Sequence, residues 1–164
     1  MVKELRRTIS GGRVESSTIN AVGVWFYAEK TDSYLYLMRA DDKHAGTWGL
    51  PGGKVESSET LLDTIERECN EELGTMPSAV KLVPIEKFTS PDAHFCYHTF
   101  FCYLEDEFHP RLNHEHLGYT WIKRGTLPKP LHPGLWATVN LQQVLDKIET
   151  ARQLYTSHCE TKVG

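Results

Sequence analysis

Residues 53–75 read GKVESSETLLDTIERECNEELGT. Apolar positions recur at helical spacing, Ser57 or Ser58 precedes them as a cap, and Gly74 stands where a left-handed C-terminal residue belongs. This predicts a helix over 59–73. Residues 54–74 hold seven acids (Glu56, Glu59, Asp63, Glu66, Glu68, Glu71, Glu72) against two bases, Lys54 and Arg67, a balance of −5. The other 15 acids and 16 bases nearly cancel, so one element carries the whole negative excess of a chain with net charge −4. With Glu68 at 0° and about 100° per residue, Glu72 falls at about 40° and Glu71 at about −60°. Leu61, Leu62, Ile65, Cys69 and Leu73 fall between about 20° and 140°, so the carboxylate arc overlaps the edge of the apolar stripe. Glu68 and Glu72 are like charges at i,i+4, unfavourable on an exposed helix and more so at the rim of a core. A solvated acidic face is the ordinary reading of such a run. The alternative is a hard divalent cation among the carboxylates, since Mg2+ prefers such oxygens.

The loop before the helix favours the cation. Residues 48–53 (WGLPGG) bring a backbone with little side-chain bulk against the helix start, offering carbonyls to a metal and amides to a phosphate. Together loop and helix form a longer pattern: Gly53, five residues, Glu59, seven residues, then Arg67-Glu68-Cys69-Asn70-Glu71-Glu72-Leu73-Gly74-Thr75. This resembles the Nudix box, and all seven of its fixed glycine and polar positions match. Cys69 and Thr75 depart from it, standing where the box has bulky aliphatic residues. The resemblance extends more weakly over residues 18–123.

The resemblance implies an α/β fold, a Nudix-type α/β/α sandwich with a mixed β-sheet between helices. It implies Mg2+- or Mn2+-assisted attack of water on the pyrophosphate of a nucleoside diphosphate linked to another moiety. It maps the metal ligands onto Gly52 (through its carbonyl), Glu68, Glu71 and Glu72. Glu59 and Arg67 would pair to hold the loop against the helix, Arg67 being structural first and catalytic second. Glu68 is a candidate general base. Glu115, in the loop of residues 112–121 that resembles a family segment before the last strand, is the first candidate for a further ligand or base, followed by His116 and His114. Arg39 and Lys54 are candidate phosphate contacts, with an ion pair to Asp41 or Asp42 as the plain alternative for Arg39. The physics agrees: a polyanionic substrate meets a local charge of −5, and divalent ions reverse that sign.

Away from the box, Ile19–Ala28 and Ser33–Arg39 read as strands of a hairpin turning at residues 30–33. Residues 40–53 read as a loop. Val80–Phe88, His94–Leu104 and Gly118–Lys123 read as three more strands. Leu135–Tyr155 reads as one long amphipathic helix, with Leu141, Leu145, Ile148 and Arg152 at helical spacing. Residues 127–134 form a rigid connector, from which His132 could reach the substrate. His94 and His98 read as lining residues rather than a zinc pair, and Trp25, Trp48 and Trp136 as core. One domain is expected over 1–164, with residues 1–17 and 157–164 loose.

With 40% hydrophobic and 24% charged residues, disordered and fibrous classes are excluded. The acidic balance argues against duplex nucleic acid as a partner, and no apolar run is long enough for a membrane. MVKELRRTIS has no apolar core and does not read as a secretory signal. The four cysteines lack a C-x-x-C spacing and read as reduced thiols of a cytoplasmic protein. Monomer and homodimer stay open. Within the enzyme class a (d)NTP is the preferred substrate, as in MutT-like members, since no added substrate domain is visible. Dinucleoside polyphosphates, ADP-ribose and nucleotide sugars stay open, as does a non-catalytic nucleotide-sensing module on the same fold.

Overall fold

A computed structural model describes residues 18–78 and 81–160, the side chains of 157–160 excepted. Its strands are β1 (Ile19–Ala28), β2 (Ser33–Arg39), β3 (Trp48–Gly49), β4 (Gly52–Lys54), β5 (Lys81–Thr89), β6 (Phe95–Leu104) and β7 (His116–Lys123). Its helices are α1 (Leu61–Leu73), α2 (Pro133–Val139) and α3 (Gln142–Glu160).

The sheet runs β3-β2-β1-β6-β5, with β4 added to β1 and β7 to β2. β1 is its spine. It pairs in parallel with β6 along its whole length, from Ile19–Phe95 to Ala28–Leu104. Its near-continuous apolar run is that of a strand buried on both faces. Val22, Val24 and Phe26 join Ile65, Cys69 and Leu73 of α1 in one core. Trp25 and Tyr27 join Leu135 of α2 and Val144, Ile148 and Ala151 of α3 in the other. Each large side chain so buried contributes about 1.5–3 kcal/mol, which makes β1 the clamp between the layers. The architecture is the expected α/β sandwich around a mixed sheet.

β1 and β2 pair antiparallel only at Tyr27–Tyr34 and Ala28–Ser33, beside their turn. Beyond that they part. β4 takes up the edge of β1 at Ala21–Gly23, while β2 turns to β7 and β3. The residues of interest gather where the strands diverge.

Several boundaries differ from expectation. Thr60, not Ser57 or Ser58, caps α1: its hydroxyl accepts from Asp63 N–H at 3.1 Å while Asp63 accepts from Thr60 N–H at 2.9 Å. This reciprocal box satisfies two of the helix's orphan donors. Gly74 does close α1 in the left-handed conformation. Leu62 is 58% exposed and lies off the buried stripe. The expected loop 40–53 contains β3 and the start of β4. β5 and β6 each begin a residue later than the expected Val80 and His94, Val80 lying outside the described residues, and β7 begins two earlier than Gly118.

The long C-terminal helix is two. Asn140 Nδ2 donates to Trp136 O at 2.7 Å, and Leu141 N–H to Thr138 O at 3.1 Å, a local alternative that ends α2. The stripe of α3 is accordingly Val144, Ile148 and Ala151; Leu141 is 43% exposed, and so, at 61%, is Trp136, expected in the core. α3 continues to Glu160, into the stretch expected to be loose, while residues 1–17 and 161–164 lie outside the described residues. Cys69, Cys96 and Cys102 are buried free thiols. Among the described residues no helix is long and apolar enough to cross a membrane.

Candidate active site

α1 grades its carboxylates from core to solvent. Glu72 lies within the buried stripe at 4% exposure, Glu68 is half-buried at its rim, and Glu71 is exposed. Glu72 accepts a hydrogen bond from Gly52 N–H at 3.1 Å. Burial, and after it the charges of Glu68 and Glu115, pushes its pKa up to about 9. Burial also raises Glu68, against the opposing pull of Arg67.

The loop reaches this carboxylate row because it carries no side chains there. Gly52 has φ +149°, and a Cβ on it would fall on the carbonyl of Val22. A Cβ on Gly53 would fall on the Glu68 carboxylate. Arg67 then ties loop to helix. Its Nε donates to Glu59 Oε2 at 2.9 Å, Nη2 to Glu59 Oε1 and to Lys54 O at 3.0 Å each, and Nη1 to Glu68 Oε1 at 3.0 Å. Nη1 also lies 3.5 Å from Glu71. The two-pronged Arg67–Glu59 pair draws the Glu59 carboxyl down to about 2. The side chain of Lys54 is exposed at the end of β4.

A second strand end closes on the row. The β2–β7 register pairs Met38 with Gly118 and then Arg39 with His116, skipping Leu117, which bulges out 66% exposed. Glu115 is anchored by its backbone: Ala40 N–H donates to its carbonyl at 3.0 Å, and its own N–H donates to Asn113 Oδ1 at 3.0 Å. Ligand atoms of Glu72, Glu115 and His116 thereby all lie within 4.8 Å of one another. His116 Nδ1 is buried with no hydrogen-bond partner among the described residues. Burial, with Arg39 nearby, lowers its pKa to about 4, so its ring is neutral and available as an acceptor. Arg39 forms the anticipated ion pair with Asp41, Nε to Oδ1 at 2.5 Å, and its charge is also felt at Glu72 and His116.

The structure thus brings Gly52, Glu68, Glu72, Glu115, His116, Arg39 and Arg67 to one place, with Glu71 at its exposed edge. His114 is exposed, outside the Glu72–Glu115–His116 group. Two neighbours, Tyr97 and His44, were not legible as site residues, whereas His132 was legible as a connector residue that could reach the substrate. Tyr97 packs its hydroxyl over the backbone of Gly23 within range of the charges of Glu72 and Arg39; a glycine inside a strand was the one available signal. His44 and His132 stack edge to face, ring centroids 4.5 Å apart, beside Asp41. His132 also caps α2, its Nδ1 accepting from Gly134 N–H at 3.0 Å.

The oxygen-rich donor set suits a hard divalent cation. A buried carboxylate held by one backbone N–H and faced by two further acids is stable as an anion only with positive charge beside it.

Comparison with known proteins agrees. The family model of the NUDIX domain matches residues 18–141. An ADP-ribose pyrophosphatase of Methanocaldococcus jannaschii is 36% identical over 72 residues, 44% of this chain and 41% of the relative. A putative 8-oxo-dGTP diphosphatase 3 of Mycobacterium tuberculosis is 33% identical over 114 residues, 66% of this chain and 52% of the relative. The chain therefore spans about half, or less, of the length of these relatives. Among solved structures, the Nudix hydrolase RenU of M. smegmatis shares the fold with a TM-score of 0.63 at 22% identity, over 84% of this chain and 86% of that one.

Proposed function

Because the chain belongs to the Nudix family, we propose that it hydrolyses the pyrophosphate bond of a nucleoside diphosphate linked to another moiety, in a reaction dependent on Mg2+ or Mn2+. The observation that carries this reading is Glu72, buried at 4% exposure and facing Glu68 and Glu115. Glu68, Glu71, Glu72 and the Gly52 carbonyl are the proposed metal ligands, and the Glu72–Glu115–His116 group adds two more donors. When bound, the ion screens phosphate charge and lowers the pKa of a coordinated water.

The chain's own residues do the rest. Arg67 fixes Glu68 and holds the glycine loop against α1, so the donors are set before substrate arrives. Arg39, partly neutralised by Asp41, supplies positive charge to phosphate oxygens at the opposite wall, and Lys54 adds a second cation at the loop. Glu115, exposed yet anchored through its backbone, is the proposed base that accepts a proton from the attacking water; Glu68 is the alternative. Glu115→Gln is expected to lower kcat far more than it raises KM. Loss of kcat in Glu68→Gln but not in Glu115→Gln would transfer the role.

A (d)NTP is the proposed substrate class, supported by the similarity to the 8-oxo-dGTP diphosphatase; the similarity to the ADP-ribose pyrophosphatase supports ADP-ribose as the competing substrate. The test is a product assay on metal-stripped protein over (d)NTPs, ADP-ribose, dinucleoside polyphosphates and nucleotide sugars, with Mg2+ or Mn2+ restored. Pyrophosphate and a nucleoside monophosphate from a (d)NTP are expected. Undiminished turnover in chelator, or no product from any member of the panel, would overturn the proposal.

A further inference from the structure

Four polar side chains run in contact from Arg39. Its Nε meets Asp41 Oδ1 at 2.5 Å, Asp41 Oδ2 lies 3.5 Å from His44 Nδ1, and the His44 ring meets the His132 ring edge to face at 4.5 Å between centroids.

Strand alternation puts His132 on the sheet face that carries the carboxylates. Leu35 and Leu37 of β2 pack in the core shared with α1, so Arg39, two residues on, points to that side. Gly49 of β3 pairs with Leu37, and a Cβ on Gly49 would stand 3.7 Å from the Cβ of His132. Leu131, one residue earlier, packs in the opposite core. Residues 130–132 are laid along β3 by two bonds: Trp48 N–H donates to Pro130 O at 2.9 Å, and His132 N–H donates to Trp48 O at 2.8 Å. The missing side chain at Gly49 leaves room for the imidazole on the Arg39 side.

What the four residues leave open is a set of donors. Asp41 is occupied within the cluster, Oδ1 by Arg39 and Oδ2 by His44 N–H at 3.2 Å. Nη1 and Nη2 of Arg39 have no partner among the described residues, and the side chain is 39% exposed. His132 Nδ1 accepts from Gly134 N–H at 3.0 Å, so the neutral ring carries its proton on Nε2. That N–H also has no partner among the described residues, and His132 is half-buried rather than enclosed. An open guanidinium edge and an imidazole N–H of fixed tautomer, with the neighbouring acid already bonded, suit anionic oxygens.

In the pyrophosphohydrolase reading the divalent ion holds the reacting diphosphate. A (d)NTP brings a third phosphate, which the acids of α1 repel. We propose that His132 Nε2–H, with the outer guanidinium nitrogens of Arg39, binds the terminal phosphate of a nucleoside triphosphate, and that His44 holds the His132 ring in place. The inference rests on that reading and deepens it: a triphosphate fills the seat with an anion, whereas ADP-ribose brings an uncharged sugar to it.

Inorganic tripolyphosphate and pyrophosphate test the seat without a nucleotide, by calorimetry on the full chain in excess Mg2+. Two variants separate the roles of His132 without changing its charge. In His132→Asn the side-chain oxygen still caps Gly134 N–H, but no donor reaches as far as Nε2; His132→Gln carries an N–H farther out and caps poorly. The wild type is expected to bind tripolyphosphate at least about tenfold more tightly than pyrophosphate. His132→Asn is expected to lose about tenfold for tripolyphosphate, with pyrophosphate affinity and Tm unchanged, and His132→Gln to recover most of that loss despite a lower Tm. In wild-type protein labelled with 15N-histidine, tripolyphosphate but not pyrophosphate is expected to shift one Nε2 signal saturably, the one missing from His132→Asn. That spectrum decides the matter even if a variant does not fold. Unchanged tripolyphosphate affinity in His132→Asn would overturn the proposal. So would an equal loss for pyrophosphate, which would put the imidazole at the metal-held diphosphate, or a spectrum in which no Nε2 signal responds. The two readings fail separately: no product from any nucleotide sinks the hydrolysis, whereas (d)NTP hydrolysis without a His132-dependent tripolyphosphate margin sinks this seat alone.

Discussion

Glu72 is an acid placed where a helix would ordinarily bury a leucine, and pH should expose it. Its folded pKa of about 9, against an ordinary 4.5, means that the native metal-free chain holds a proton which the unfolded chain has released across that window. Stability from this group is full below 4.5 and is lost as pH rises through about 9. His116 slopes the other way, losing stability as pH falls from 6.5 through about 4. Where the two windows overlap they oppose each other, so above 6.5 the Glu72 slope stands alone. The Tm of chelator-treated protein should therefore fall from 6.5 to about 9, and Glu72→Gln should flatten that fall. An unchanged slope in the variant would mean that the carboxyl is not strained by burial. Gly53 gives a second check. A Cβ there would overlap the Glu68 carboxylate, so Gly53→Ala should lower kcat by about tenfold or more, read against a Tm that tells misplacement from unfolding. The graded burial of Glu72, Glu68 and Glu71 was legible from helical angles alone. The approach of Glu115 and His116 to Glu72 was not, because it depends on skipping Leu117 in the β2–β7 register, and a bulge leaves no periodic trace in a single chain.

Among the elements, α1 and its glycine loop were the most legible, since spacing, charge and termini all pointed to one helix. Its start was misread because two serines precede Thr60, and only Thr60 has an acid three residues on to complete the reciprocal bonds. Thr60→Ala should cost about 1 kcal/mol of stability, seen as a drop in Tm, with kcat unchanged at saturating metal. A lost kcat with an intact Tm would instead place the cap in the chemistry. The C-terminal helix was misread for a related reason: apolar Val139 and Leu141 flank Asn140 and keep the pattern going, and the side-chain bond of Asn140 to Trp136 O decides the break. Trp136 follows, because a short separate helix turns it to solvent while Leu135 enters the core.

At the scale of the whole molecule, the layers were readable and the pairing was not. A β1 apolar along its length announces burial on both faces, but its parallel match to β6, 76 residues away at every paired position, is set by which helices cover the sheet. That pairing lets β1 and β2 part, and the gap receives the loop, α1 and the start of β7 together. The consequence is a site whose protein groups are mainly acidic and whose proposed substrate is a polyanion, so the account stands on a divalent ion between them. The direct measurement is calorimetric titration of the metal-stripped full chain with Mn2+, in wild type and Glu72→Gln. Saturable uptake by the wild type, weakened about tenfold or more in the variant, is the expected result. No uptake by the wild type, or equal uptake by both proteins, would contradict the account.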